Sequence, residues 1–111
     1  MEELKSLQHF QFQNWAIDRI GGQPSAKKTG DMGIDGYTFL QHIPVQVKQS
    51  EDVGRNVVDN FETAVKRQRK TSGYIIAFSF VKGAYEEASR AKQEDKVDIK
   101  LVRVDELDKH F

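Results

Sequence analysis

"GIDGYTFLQHIPVQVK", residues Gly33 to Lys48, decides how the rest of the chain is read. Polar and apolar side chains alternate through it, β-branched and aromatic residues are concentrated in it, and Pro44 falls near the start of its second half, where a missing donor is tolerated. The stretch predicts a hairpin of two strands, Ile34 to Gln41 and Ile43 to Gln49, turning at Gln41 and His42. Because strand side chains alternate faces, Val45 and Val47 belong on one side, and Gln46 and Lys48 on the other. A two-residue turn then sets Asp35 opposite Lys48 and Tyr37 opposite Gln46, which converges three polar groups.

Upstream, Leu4 to Ile20 repeats apolar residues near a 3.6-residue period, which predicts one helix stopped by Gly21, Gly22 and Pro24. Residues Gln23 to Gly33 are polar, with room for a short strand and a turn. Downstream, Asn56 is a candidate N-cap for a helix to about Lys70, with Val57, Val58, Phe61, Ala64 and Val65 on one face. "GYIIAFSF", Gly73 to Phe80, is the most continuously apolar run and predicts an interior strand. A helix over Gly83 to Lys96, a strand over Asp98 to Val104 and a short terminal helix complete the chain. The order is α, β, β, β, α, β, α, β, α. It implies an α/β fold: a meander first, then parallel strands joined by right-handed crossovers, in a mixed sheet flanked by helices. With no repeat, linker or low-complexity tract, residues 1–111 are expected to form one domain.

The totals narrow the function classes. In 111 residues there is room for one core, and 38% hydrophobic with 31% charged residues excludes the compositions that stay disordered. Seventeen basic and seventeen acidic residues cancel, so any anion site must be local. The absence of cysteine removes disulfides, thiolate metal sites and cysteine nucleophiles together. No apolar stretch is long enough for a membrane span and no leader pattern opens the chain, so a cytoplasmic protein without a membrane partner is expected. His9, His42 and His110 share no ligand spacing, which argues against zinc, although His42 at the hairpin end is within reach of a phosphate.

The Asp35, Gln46 and Lys48 cluster has a chemical use. A carboxylate, an amide oxygen and nearby main-chain carbonyls are hard ligands suited to Mg²⁺, and an ammonium beside them offsets charge building on phosphate oxygens. A structural reading stands next to it: Asp35-Gly36 as turn chemistry, Lys48 as a charge protecting a sheet edge, Gln46 as a solvated strand face. Three residues do not decide between the two. At this point "TGDMGIDG" (Thr29 to Gly36) followed by "VQVK" (Val45 to Lys48) resembles the PD-(D/E)XK nuclease superfamily, in its Mrr-like branch where Gln replaces the last acid. "FQNWAIDRIGGQPSAKKTGDMGIDGY" and "VKGAYEEASRAK" are similar to Mrr-like domains found at the C-terminus of bacterial and archaeal DNA methylases. The resemblance runs from about Phe12 to Leu107. It implies a restriction-endonuclease-like α-β-β-β-α-β core and cleavage of DNA with Mg²⁺ or Mn²⁺. Asp35 is then a metal ligand, Gln46 stands in the place of the second acid, the Val47 carbonyl is a further ligand, and Lys48 orients water or stabilises the transition state. Many such nucleases carry a glutamate on the first helix, where this chain has Gln11 or Gln13; Gln13 is taken into the candidate site.

Contacts to DNA phosphates are expected from "KRQRK", with Lys66, Arg67, Arg69 and Lys70, and from Arg55, Ser50, Lys27 and Lys28. Cations in a last helical turn also stabilise the helix by about 0.3 to 1 kcal/mol, which explains that cluster without a ligand. Trp15 reads as a packing anchor, and "YEEA" and "QEDK" as a solvated helix face. Three readings follow: a DNA endonuclease domain of a restriction-modification or DNA-processing system, as a homodimer for double-strand cutting; a non-cleaving DNA-positioning module attached to a methyltransferase; or a protein-interaction piece of such a system.

Overall fold

The expected N-terminal helix is two. The computed structural model describes residues 2–25 and 33–110, and in it α1 (Glu2–Ser6) and α2 (His9–Arg19) meet at a break. Gln8 is extended there, and its N–H donates to Gln11 Oε1 (3.2 Å) at the head of α2. Carbonyls of α1 and of the break are taken by Gln49, whose Nε2 donates to Leu4 O (3.1 Å) and Leu7 O (2.8 Å). Every helix end leaves such groups without an internal partner, and here a distant side chain supplies one.

Five strands follow in chain order across one sheet: β1 (Gly22–Pro24), β2 (Gly36–Thr38), β3 (Pro44–Val47), β4 (Ser72–Ala77) and β5 (Asp98–Arg103). The first two junctions are antiparallel and the last two parallel. This is the mixed α/β sheet that the element order implies. The crossovers α3 (Arg55–Arg67) and α4 (Lys82–Arg90) pack on one face through Val58, Phe61, Val65, Ile75 and Ile99. On the other face, α2 and α5 (Val104–His110) bury Phe12, Ile17 and Leu107 against Val45, Val47 and Ile76. Trp15 is half-buried against that second cluster and stacks on Phe12 at 6.1 Å, an anchor as expected. Among the described residues no helix is long and apolar enough to cross a membrane.

The hairpin register departs from expectation. Gly36 faces Val45 and Tyr37 faces Pro44, so Asp35 is not level with Lys48, nor Tyr37 with Gln46. Gln-His cannot supply the two positive φ angles of a tight two-residue turn. The chain instead turns through residues 39–42, with His42 at φ 56°, Thr38 Oγ1 accepting from Ile43 N–H (2.9 Å), and Tyr37 stacked on His42 at 4.3 Å. The slip is two residues, and because strand parity is two, each side chain keeps its face. His42 therefore sits at the end of the hairpin away from Gln46 and Lys48.

Two helices are also shorter than their periodicity. Gly54, not Asn56, caps α3, which ends at Arg67. α4 stops at Arg90 and widens into a π-helical turn, Ala91–Asp95, closed by Lys96 at φ 59°. That wider turn carries Asp95 to within 3.3 Å of both Lys66 and Arg90.

Candidate active site

Asp35 lies just ahead of β2, where its N–H donates to Val45 O (2.8 Å) although Gly36 is the residue paired with Val45. Two residues thus face one, the geometry of a β-bulge, which re-aims the side chain at the bulged position. The Asp35 carboxylate turns along the sheet and its Oδ2 accepts the Val47 N–H at 2.7 Å. A strand residue points its N–H and C=O toward the same neighbour, so the Val47 carbonyl also projects to the Asp35 side. Lys48 is half-buried and is fixed to β4 by its N–H, which donates to Ile76 O (2.8 Å).

Gln46 sits in the middle of this arrangement at 7% exposure, and its Oε1 has no hydrogen-bond partner among the described residues. Gly33, at φ +91°, closes over the amide, and a Cβ there would stand 2.5 Å from Gln46 Nε2. Only glycine tolerates both that backbone angle and that approach. A cleft of about 400 Å³ opens here, walled by Asp35, Gln46, Val47 and Lys48, with His9, Gly33, Gln49 and Ser50 around them. The structure therefore gathers Asp35, Gln46, Val47, Lys48 and Ser50. Gln13, 6% exposed, lines an adjoining pocket that shares Asp35, Gly33 and His9 with the cleft, whereas Gln11 is exposed. His9, at the start of α2, and Gln49 are wall residues that the sequence pattern missed; both depend on the α1–α2 break, where Gln49 binds the chain and for which the local period carries no signal.

A hard divalent ion fits this donor set. An unpartnered buried amide oxygen costs about 1 to 3 kcal/mol, and here it belongs to a residue lining the same cleft as Asp35 and Val47, whose carboxylate and main-chain carbonyl are also oxygen donors. Asp35, Gln46 and Val47 are the residues that would hold it, with Lys48 at the rim.

The expected phosphate contacts are dispersed. Lys27 and Lys28 lie outside the described residues, as does most of the "TGDMG" segment. Arg55, at the start of α3, pairs with Glu86 (3.0 Å) and Glu87 (3.6 Å). Because α3 runs back from the cleft end of the sheet to the start of β4, the exposed Arg67 and Arg69 and the half-buried Lys70 are carried to the opposite end. Lys66 is spent on Glu62 (3.2 Å) and Asp95 (3.3 Å).

Those acids form a second cluster. Carboxylate oxygens of Asp59, Glu62 and Glu87 lie within 4.8 Å of one another, and Glu62 and Glu87 are buried, so "YEEA" is not wholly a solvated face. Arg90 bonds Glu62 (2.9 Å) and Glu87 (2.6 Å) and also reaches Glu94 and Asp95 (both 3.3 Å). Burial, and then the neighbouring Asp95, pushes the Glu62 carboxyl up, while the hydrogen bond from Glu62 and then Lys66 hold Asp95 down. Glu62 draws Lys66 up, and Glu87 does the same for Arg90. Arg90, Lys66 and Arg55 pair with Glu62 and Glu87, so these two acids belong to an ion-pair network tying α3 to α4, with the exposed Asp59 beside them.

The restriction endonuclease family, through its Mrr catalytic model, matches residues 4–111. The chain belongs to that family, and its mixed sheet with flanking helices is a restriction-endonuclease-like core. No curated protein and no solved structure matches the chain.

Proposed function

We propose that the chain is a divalent-metal-dependent phosphodiesterase domain that cuts duplex DNA at the Asp35, Gln46, Val47 and Lys48 cleft. The observation that carries this is the orphaned Gln46 Oε1 beside Asp35, since family membership supplies DNA processing but not the working site. Asp35, Gln46 and the Val47 carbonyl hold the ion, and Mg²⁺ or Mn²⁺ supplies Lewis-acid polarisation of a phosphodiester there. Lys48 lies where charge develops on the phosphate oxygens, and its ammonium stabilises that charge. Ser50, toward the same end of the sheet, and Lys27 and Lys28 position the backbone, and Arg55 joins them only by giving up its pairs with Glu86 and Glu87.

A second reading is favoured by one feature: amides stand at both Gln46 and Gln13, so the site carries fewer negative charges than two acids would give and binds metal weakly. On that reading the domain positions DNA for an attached or partner methyltransferase. The cytoplasmic setting of a restriction-modification or DNA-processing system suits both readings, and double-strand cutting would use a symmetric pair of chains. Cleavage of plasmid DNA with Mg²⁺ or Mn²⁺ by wild type, Asp35→Ala and Lys48→Ala separates them. The nuclease reading expects each variant to lose about 100-fold or more in rate while duplex binding is kept. Wild type that binds duplex but is inert with both metals establishes the positioning module instead.

A further inference from the structure

Beside the metal cleft lies a second cavity of about 470 Å³ between α2 and the ends of β1 and β2. It shares His9, Gly33 and Asp35 with the cleft, so whatever occupies one adjoins whatever occupies the other. Its chemistry is different. Among the described residues that line it there is no lysine or arginine, and the one carboxylate is the shared Asp35.

What lines it suits a flat heteroaromatic group. Phe10 stands at the rim at 55% exposure, with its ring edge-on to the His9 imidazole at 5.9 Å. Pro24 and Ile34 give apolar walls, and Gln13 and Asn14 bring two primary amides, each both donor and acceptor. On α2, positions 9, 10, 13 and 14 fall on one face, so a single helix presents the aromatic pair and the amide pair together. Stacking surface plus amide hydrogen bonds is how proteins hold an unstacked base.

We infer that this cavity receives the nucleobase next to the phosphodiester held at the cleft, taken out of its stack and laid against Phe10 and His9. The inference rests on the cleft reading above. It adds a reason for the burial of Gln13, whose amide serves the base edge where a glutamate would have served a metal.

An NMR titration of the full chain with Mg²⁺ and 2′-deoxyadenosine 5′-monophosphate tests this, with 2-deoxyribose 5-phosphate, the same molecule without its base, as the control. The nucleotide is expected to shift the Gln13 and Asn14 side-chain amides and the Phe10 ring, together with the Gln46 and Lys48 signals. The sugar phosphate should move only the Gln46 and Lys48 signals. Phe10→Ala, checked for an unchanged fold by its backbone amide spectrum, should weaken the nucleotide roughly 5-fold or more and leave the sugar phosphate unchanged. If both ligands move Gln46 and Lys48 alike and neither moves Gln13, Asn14 or Phe10, the base pocket is wrong and the cleft reading stands. If neither ligand moves Gln46 or Lys48, both are wrong.

Discussion

Replacing Gln46 with Met removes the orphaned amide oxygen while keeping an unbranched side chain of similar length, so it sets the stability of the domain against its metal response. At 7% exposure, Gln46 Oε1 carries the cost of desolvation with no hydrogen bond to offset it. That cost is about 1 to 3 kcal/mol for a buried unsatisfied group, and some of the gain is lost because Met leaves Gly33 less closely covered. The variant is therefore expected to be more stable than wild type by about 1 kcal/mol in EDTA, a rise in Tm of roughly 4 to 8 °C for a domain of this size. With Mg²⁺ at ten times its dissociation constant, wild type gains about 1.4 kcal/mol through binding to the native state alone. Gln46→Met gains none, so the order of the two melting curves reverses between EDTA and metal. Differential scanning calorimetry in both buffers reads this directly. A variant at least 1 kcal/mol less stable in EDTA, or one that gains as much from metal as wild type, refutes the reasoning.

Two further outcomes follow from the charges. Because Arg67 and Arg69, at and just past the end of α3, lie away from the cleft, charge reversal at both should leave duplex affinity and its salt dependence nearly unchanged in a fluorescence-anisotropy titration at several salt concentrations; Lys66→Ala should instead lower folding stability by releasing Glu62 and Asp95. Glu62 holds its proton more tightly folded than unfolded, so its contribution is present in acid and is lost as pH rises through its raised folded value; Glu62→Gln mimics the neutral form, and its stability relative to wild type should increase with pH across that interval in urea melts. Asp95 has the opposite sign. Its contribution is present above its ordinary value and is lost as pH falls through its depressed folded one.

The meander-then-crossover order was legible because period-2 and period-3.6 patterns alternate cleanly along the chain. Gln46 and Lys48 opposite Val45 and Val47 followed from parity alone, which survives a register error of two. The register itself was not legible, since it is set by Thr38 Oγ1 and a left-handed His42 in a four-residue turn. The break at Gln8 depends on Gln49, which joins it only after the sheet has formed, so no local period announces it. Glu87, in "YEEA", looked solvated because opposite charges three or four residues apart usually are. Arg90 and Lys66 make the burial of Glu62 and Glu87 tolerable, and pairing between α3 and α4 is tertiary information. Gln13 rather than Gln11 as the helix residue beside the site was decided by burial.

On the proposed function, Asp35, Gln46 and the Val47 carbonyl form the divalent-ion site. Substoichiometric Mn²⁺ added to ¹⁵N-labelled protein tests it most directly, because paramagnetic broadening falls off steeply with distance from the ion. The Gln46 side-chain amide and the Val47 and Lys48 backbone amides are expected to broaden first. Broadening that instead centres on Asp59, Glu62 and Glu87 contradicts the account.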